Sequence, residues 1–364
     1  MSMIRSTEFV HEENALVIEL REPAEVISSI PILGVDPQFI VFKTVSTDFH
    51  VDNLVDFYKS VLSRLGIDSG VVFLTSVPVS EYAWEKVLSP YVSDVVVTVG
   101  LEPAACLDIE DVYRPISSTI NIAVITTAPL TTEGAIDLFK TVVEAKVLAV
   151  SEILLRCTSR ASGTVSDAVA IALPRSRPKR YLFAGIATDV GNAIAKAVYR
   201  AILSRAITLL GIDDLLKNVL GVDREHIVEL ALQLYRRAPI PGLSVDRVKK
   251  ILRDILDDVL RDPNVWCLLI AARELDLHAY SNSIPHLSRD EFLNDTQKIL
   301  ADELLGIALS LYIAGAKGMF SMYWVERLKE NGVLSLELPM FEDDVLSALL
   351  GSLLTKLYDS YRER

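Results

Sequence analysis

Strand-like runs end at about Ala206, and this change of period constrains the fold more than any other feature of the chain. Before it, short β-branched segments alternate with helical spacing; after it, apolar residues recur only at helical spacing. Candidate strands are Ala15–Leu20, Phe39–Val45, Gly70–Thr75, Asp94–Val99, Thr119–Thr126, Asp167–Ala172 and Tyr181–Ala187. Candidate helices are His50–Leu65, Ser80–Leu88, Thr132–Leu154 and Val190–Leu209. The remainder reads as helices over Leu215–Leu220, Arg224–Arg237, Val245–Leu260, Val265–Glu274, Ser288–Tyr312 and Asp343–Tyr361. A chain of 364 residues exceeds what one core usually serves. Two domains are therefore expected: residues 1–205 as α/β, a mixed sheet with helices, and residues 206–364 as an all-α helical bundle. The helix after Val190 is long enough to run across that boundary.

Half of the residues are apolar (51%), enough for both halves to bury a core. A net charge of −13 argues against nucleic acid or an anionic membrane as a general partner, though not against a small phosphate held by lysines or a metal. Cys106, Cys157 and Cys267 lie far apart with no CxxC spacing, so neither a disulfide framework nor a structural zinc site is expected, and a reducing cytoplasm fits. Glu8, His11, Glu12 and Glu13 leave no room for a signal-peptide core. The apolar run from Leu304 to Ala316 is too short for a straight transmembrane helix and is expected to be a buried helix.

Within Thr132–Leu154, Leu138, Val142, Ala145 and Ala149 form one apolar stripe, and Lys146 sits among valines and alanines at its i±3 and i±4 positions. Such a lysine either snorkels to water or meets a buried anion. Glu144, two residues away, points elsewhere. The loop Gly163-Thr-Val-Ser166-Asp167 offers a hydroxyl and a carboxylate beside a glycine: Thr164 or Ser166 as nucleophile or water anchor, Asp167 as acceptor or base, or else a plain turn cap. Its spacing recurs as Gly185-x-x-Thr188-Asp189, either by coincidence or as two loops lining one site. His11 and His50 lack a triad context, so no cofactor is evident in this half.

In the helical half, Asp302-Glu303-x-x-Gly306 and Asp343-Asp344 stand at or near helix starts. Carboxylates projected from facing helices make an oxygen cage suited to Mg²⁺ or Mn²⁺. Acids in a first turn also serve as helix caps, and both readings stay open.

Taken in order, Ser28-Ser29, Thr98-Val-Gly100-Leu101, Thr119-Ile-Asn121-Ile, Pro129-Leu130, Glu144-Ala-Lys146, Gly163–Ala168 and Ala184-Gly185 resemble the adenosylcobinamide amidohydrolase family from about Ser28 to Arg200. The resemblance implies hydrolysis of the aminopropanol amide of adenosylcobinamide to adenosylcobyric acid. It implies catalytic roles for Glu144, Lys146, Thr164, Ser166 and Asp167, and substrate binding by Ser28, Ser29, Asn121, Gly163 and Gly185. The chain departs from the family pattern at Val165, where a glycine is favoured.

Asp302-Glu303-x-x-Gly306, Lys329 in Glu326-Arg-Leu-Lys329 and Phe341-x-Asp343-Asp344 resemble the phosphatidylglycerophosphatase A superfamily over roughly Gly221 to Tyr358. Its soluble archaeal branch includes α-ribazole-5′-phosphate phosphatase. This resemblance implies a divalent ion held by Asp302, Glu303, Asp343 and Asp344, with Glu229 at a matching acidic position and Lys329 on phosphate. Glu326 and Lys329-Glu330 stand where the family usually has aspartate and Lys-Pro. Both activities belong to cobalamin salvage, so the pair implies a bifunctional hydrolase. Three alternatives remain: a lipid phosphatase acting on phosphatidylglycerophosphate, a non-catalytic corrinoid-binding first half, and a helical half that serves only oligomerisation. A homo-oligomer is left open.

Overall fold

A computed structural model describes residues 1–107, 118–176, 178, 180–294, 298–334 and 337–362. The chain divides into two units, Met1–Leu209 and Leu210–Arg364. Helix Asp189–Leu209 is continuous through residue 205.

The first unit contains strands β1 (Ile4–Val10), β2 (Ala15–Leu20), β3 (Ala24–Ser28), β4 (Ile32–Leu33), β5 (Phe39–Thr44), β6 (Gly70–Thr75), β7 (Ala83–Val87), β8 (Ser93–Thr98), β9 (Asn121–Thr126) and β10 (Ala168–Pro174). Its helices are α1 (Leu54–Arg64), α2 (Thr132–Ser151) and α3 (Asp189–Leu209). Two five-stranded sheets form, in the orders β1-β2-β5-β6-β4 and β3-β10-β9-β8-β7. Both are mixed: β5 runs parallel to β6 and β9 to β10, while the other pairings are antiparallel. Leu16, Ile18, Phe42 and Phe73 of the first sheet pack against Val96, Ala123, Ile125 and Ala170 of the second. The α1 residues Tyr58, Val61 and Leu62 cover the outer face of the first sheet through Val41 and Val72. On the second sheet, α2 packs against β10 and α3 against β7 and β8. The result is four layers, helix, sheet, sheet and helices, in agreement with the α/β expectation.

Two expected elements of the first unit change type, β1, β3 and β4 add strands not expected, and in the second unit the helix expected over Ser288–Tyr312 is found as separate helices, Arg289–Leu293 and one that begins at Ala301. Ser80–Leu88, expected as a helix, contains β7, because β8 needs an edge partner and Trp84 donates its indole N–H to Asp94 at 3.1 Å. The exposed Lys86 on that edge is a residue that discourages further pairing. Tyr181–Ala187 is a loop with exposed Leu182 and Phe183; its ladder stops at a bridge between Leu130 and Tyr181.

Cys106 and Cys157 form a disulfide, contrary to expectation. Fifty-one residues separate them in sequence, yet their Cα atoms lie 5.7 Å apart, because segment 103–105 pairs with 162–165: Ala105 N–H donates to the Gly163 carbonyl at 2.8 Å and Ser162 N–H to the Ala105 carbonyl at 3.0 Å. Closing a loop of that length is worth about 4 kcal/mol in the chain-entropy account. Cys106→Ser is therefore expected to lower the first unit's melting temperature by several degrees, and the wild type should drop equally in dithiothreitol; identical melts with and without reductant would remove the crosslink from the account.

The second unit consists of α4 (Ile212–Leu220), α5 (Arg224–Tyr235), α6 (Val245–Val259), α7 (Pro263–Tyr280), α8 (Arg289–Leu293), α9 (Ala301–Glu330) and α10 (Met340–Arg362). Every regular element among its described residues is a helix, as expected. The exception to regularity is α9, which is a hairpin. Gly315 adopts φ 65° and ψ −161°, reversing the chain between arms 301–314 and 316–330. A Cβ on Gly306 would lie 2.4 Å from Met322, sixteen positions on, so the arms run antiparallel in close contact. The whole of α9 has the length and hydropathy of a membrane span, but each arm reaches only about 21–23 Å at 1.5 Å per residue, short of a bilayer core of about 30 Å. Nor is it a buried helix: only 22% of its most apolar window is covered, and Leu304, Tyr312, Phe320 and Tyr323 are exposed.

Candidate functional sites

The Gly163–Asp167 loop leads into β10, whose first residue, Ala168, registers with Asn121 at the start of β9. Helix α2 leaves the far end of β9 and returns along the sheet, bringing Lys146 back to this loop. Lys146 meets a buried anion rather than snorkelling: its Nζ donates to Asp167 Oδ2 at 2.5 Å, and the side chains are 10% and 8% exposed. Asp167 collects three more donors. Thr164 Oγ1 donates to Oδ1 in a short bond, Thr164 N–H to Oδ2 at 3.1 Å, and Ile120 N–H to Oδ1 at 3.0 Å. A carboxylate so surrounded is held in one orientation and, ionised, is the natural partner of the buried ammonium.

Gly163 is required there for two reasons. Its φ is +152°, and a Cβ would lie 1.9 Å from Asp167 Oδ2 and 2.6 Å from Lys146 Nζ. Gly163→Ala is expected to break the Lys146–Asp167–Thr164 cluster at a cost of about 1–3 kcal/mol for the backbone alone. Amide hydrolysis should fall at least a hundredfold while the second unit keeps its melting behaviour; a variant as active as the wild type would count against this cluster as the reaction centre.

The other residues singled out from the sequence are distributed unevenly. Ser166 Oγ is buried beside the loop without a hydrogen-bond partner, as is Thr119 Oγ1, which precedes the Ile120 donor. Ser29 lies on the neighbouring β3 edge, where its Oγ accepts from Val169 N–H at 3.0 Å, two residues beyond Asp167. Ser28 Oγ accepts locally from Ile30 N–H. Asn121 is in the core, its amide donating to the Leu74 carbonyl at 2.9 Å and to Thr98 at 3.3 Å, so it ties the two sheets together rather than facing a substrate. Glu144 is exposed on the opposite face of α2 from Lys146.

Gly185 is not brought to the first loop. It follows the far end of β10, where Ala184 N–H reaches Asp137 at 2.9 Å in the opening turns of α2. Thr188 caps α3, donating to the Gly185 carbonyl and accepting from Gly191 N–H at 3.0 Å. The two Gly-x-x-hydroxyl-Asp copies therefore stand at opposite ends of the strands, and do not line one site. Thr188 and Asp189 instead border a separate cavity of about 660 Å³ with Lys86, Ser89 and Lys196.

The second cluster depends on the α9 hairpin. The second arm of α9 runs antiparallel to α10, as Lys317–Asp359, Ser321–Thr355 and Lys329–Ser347 contacts show. The reversal at Gly315 returns the first arm, so that its start meets the same place. Asp302, Glu303 and Asp344 bring carboxylate oxygens within 4.8 Å of one another, and so do Glu326, Asp343 and Asp344. Lys329 Nζ donates to Glu326 at 3.0 Å, to Ser347 at 2.9 Å, and in a short bond to Asp343. Burial opposes the Lys329 charge, but the Asp343 and Glu326 carboxylates outweigh it and raise its pKa. Burial, joined by the charges of Glu326, Asp302 and Glu303, pushes Asp344 up to about 8. Burial and the neighbouring Glu303 push Asp302 up to about 7. Asp344 Oδ2 and Glu303 Oε2 are buried with no hydrogen-bond partner. Orphaned carboxylate oxygens converging on one point are what a hard divalent cation satisfies, so the donor set fits Mg²⁺ or Mn²⁺.

Because both raised groups must ionise to ligate, metal binding at about pH 6 is expected to expel protons from Asp302 and Asp344, whereas at about pH 9 almost none leave. Affinity should rise through that window. Calorimetry in buffers of different ionisation enthalpy counts the protons, and equal counts at both pH values would contradict the site.

Glu229 is not brought there: it pairs with Lys249 on α6, half-exposed. Sequence reasoning missed the support beneath the site. Asp276 of α7 accepts Phe341 N–H at 3.1 Å and Glu342 N–H at 2.9 Å, holding the start of α10, and Arg273 pairs with Glu342 at 3.1 Å in full burial. Burial and the Glu342 charge push Asp276 up to about 8. The signal was present as two charges three apart on the face of α7 that carries Val265, Leu269 and Ala272.

The first unit is thus a four-layer α/β body that holds a buried hydroxyl, carboxylate and ammonium together at one loop. Residues 1–209, more than half of the chain, match the family model described as adenosylcobinamide amidohydrolase. The chain belongs to the adenosylcobinamide amidohydrolase family, and this hydrolase activity is that of its first unit. An uncharacterized protein of Methanocaldococcus jannaschii is 34% identical over 116 residues, which cover 31% of this chain and 88% of that protein. Among solved structures, the low temperature requirement C protein of Listeria monocytogenes is similar at 22% identity and a TM-score of 0.34, covering 42% of this chain and 94% of its own. A protein of unknown function from Bacillus stearothermophilus is similar at 17% identity and a TM-score of 0.33, covering 42% and 98%.

Proposed function

We propose that the protein is a bifunctional cobalamin-salvage hydrolase. In the first unit, Asp167 orients Thr164 and Lys146 around the amide that joins the aminopropanol arm to the corrin ring. Asp167 takes the proton of the attacking oxygen, which is Thr164 Oγ1 or a water it anchors. The C–N bond breaks as Lys146 protonates the departing 1-amino-2-propanol. Where Thr164 attacks, water then cleaves the ester to release the acid and restore the hydroxyl. The orphaned hydroxyls of Thr119 and Ser166 offer donors for the amide oxygen. The observation that carries this reading is the buried Lys146–Asp167 pair with Thr164 on the same carboxylate. Incubation with adenosylcobinamide followed by chromatography tests it, since adenosylcobyric acid must appear. Tight binding without aminopropanol release would favour a corrinoid-binding module instead.

For the second unit we propose divalent-metal-dependent hydrolysis of α-ribazole 5′-phosphate. Asp302, Glu303, Asp343 and Asp344 would hold the ion, which when bound neutralises phosphate oxygens and polarises the ester. Lys329, already among these acids, reaches the phosphate as a point charge. The converging, partnerless oxygens of Asp344 and Glu303 support this reading. A second reading has one observation in its favour: the exposed apolar surface of α9 suits a lipid substrate such as phosphatidylglycerophosphate. Phosphate release from both substrates with Mg²⁺ separates the two.

A further inference from the structure

We propose that the second unit holds two divalent ions bridged by Asp344, with Glu326 as a ligand to the second ion. This rests on the metal-dependent reading above and goes beyond it in number, ligands and arrangement. The carboxylates form two triads, not one: Asp302, Glu303 and Asp344 on one side, Glu326, Asp343 and Asp344 on the other. Asp344 belongs to both, and its Oδ2 is buried with no hydrogen-bond partner in a residue only 9% exposed. Glu303 Oε2, in the first triad, is likewise buried and unpartnered.

Charge points the same way. Five carboxylates face one ammonium, so the ionised cluster carries a formal four negative charges. One divalent ion halves that excess and two cancel it, before a phosphate dianion has to enter. Two triads meeting at one carboxylate give adjacent ligand sets, the arrangement a two-metal hydrolytic site needs to hold its ions about 3.5–4 Å apart. Lys329 supplies part of the opposing charge, its ammonium lying between Glu326 and Asp343 with Ser347 as third acceptor. The second ion takes that place, and the displaced lysine is freed for the substrate phosphate.

The test is Mn²⁺ titration of the full chain, read by calorimetric stoichiometry and electron paramagnetic resonance. Two ions per chain with an exchange-coupled spectrum are expected. Glu326→Gln should leave one ion with the six-line spectrum of isolated Mn²⁺, and Lys329→Gln should tighten the second ion about tenfold by removing its competitor. Asp258→Asn, at an exposed acid that pairs with Arg261, should change neither readout. Saturation of the wild type at one uncoupled ion overturns the bridged pair while leaving the metal-dependent reading intact. Two uncoupled ions overturn the Asp344 bridge, and a Lys329→Gln chain with unchanged affinities overturns the second ion's position. Absence of any Mn²⁺ binding overturns both readings.

Discussion

Asp167→Ala is expected to abolish release of 1-amino-2-propanol from adenosylcobinamide, with kcat/KM falling by about 10³–10⁴, the size of effect seen when a general acid–base or nucleophile-orienting group is lost. Asp167 is the single acceptor shared by Lys146, Thr164 and Ile120, so its removal disorders the whole cluster at once. It also leaves a buried ammonium without its counter-charge, at a cost of about 3–5 kcal/mol. Loss of activity could then be loss of fold. The double variant Lys146→Met/Asp167→Asn removes both charges together and should recover most of that stability. A folded double variant with wild-type turnover would refute the assignment; a folded, inactive one would bear it out. Phosphate release by the second unit should be unchanged throughout.

Asp344→Asn is expected to produce opposite changes in function and in stability. Activity should fall about 10³-fold or more and Mn²⁺ binding should be lost, because the carboxylate shared by both triads is replaced by a neutral, poorer ligand. The metal-free protein should nevertheless become more stable at neutral pH. Burial and neighbouring acids hold the Asp344 pKa at about 8, whereas the unfolded chain titrates near 3.8. The contribution of Asp344 to the stability of the wild-type unit is thus fully present below about pH 4, declines as pH rises toward 8, and is lost above it. Asparagine carries no charge to desolvate, so the variant should match the wild type at about pH 4 and exceed it by a few kcal/mol at about pH 8. Adding Mg²⁺ should raise the wild-type melting temperature and leave that of the variant where it is. A variant less stable than the metal-free wild type at about pH 8 would mean that Asp344 is structural.

Both results depend on clusters whose members could be seen in the sequence to different degrees. Lys146 was conspicuous because a charge on an apolar helical stripe must find either water or an anion. Gly163 and Asp167 were conspicuous because a glycine followed by a hydroxyl and an acid stands before a strand. Which of the two fates Lys146 meets required the fold, since α2 must double back along β9 to bring it there. Gly185 misled because spacing along the chain says nothing about which end of a sheet a loop occupies. Asn121 misled because a polar residue inside a strand can bind a substrate or satisfy a carbonyl of a second sheet, and only packing distinguishes these.

The helical half shows the same division. Its adjacent acids were legible as metal ligands or helix caps, and periodicity was enough to class the unit as helical. Nothing periodic announces the reversal at Gly315, because a single glycine inside an apolar run is compatible with an unbroken helix. That reversal carries residues 302–303 back to residues 326 and 344, and without it Glu326 is one more surface acid. The disulfide is a similar case: two cysteines 51 positions apart become neighbours only once 103–105 lies beside 162–165.

By itself, then, the sequence determined what local periodicity and residue chemistry encode: where strands give way to helices, which stripes are apolar, and which charges sit where a core would resist them. The tertiary structure alone decided which of those charges meet. Proximity depends on chain reversals, sheet register and helix direction, which are settled by the packing of distant segments and leave little mark on any short stretch of residues.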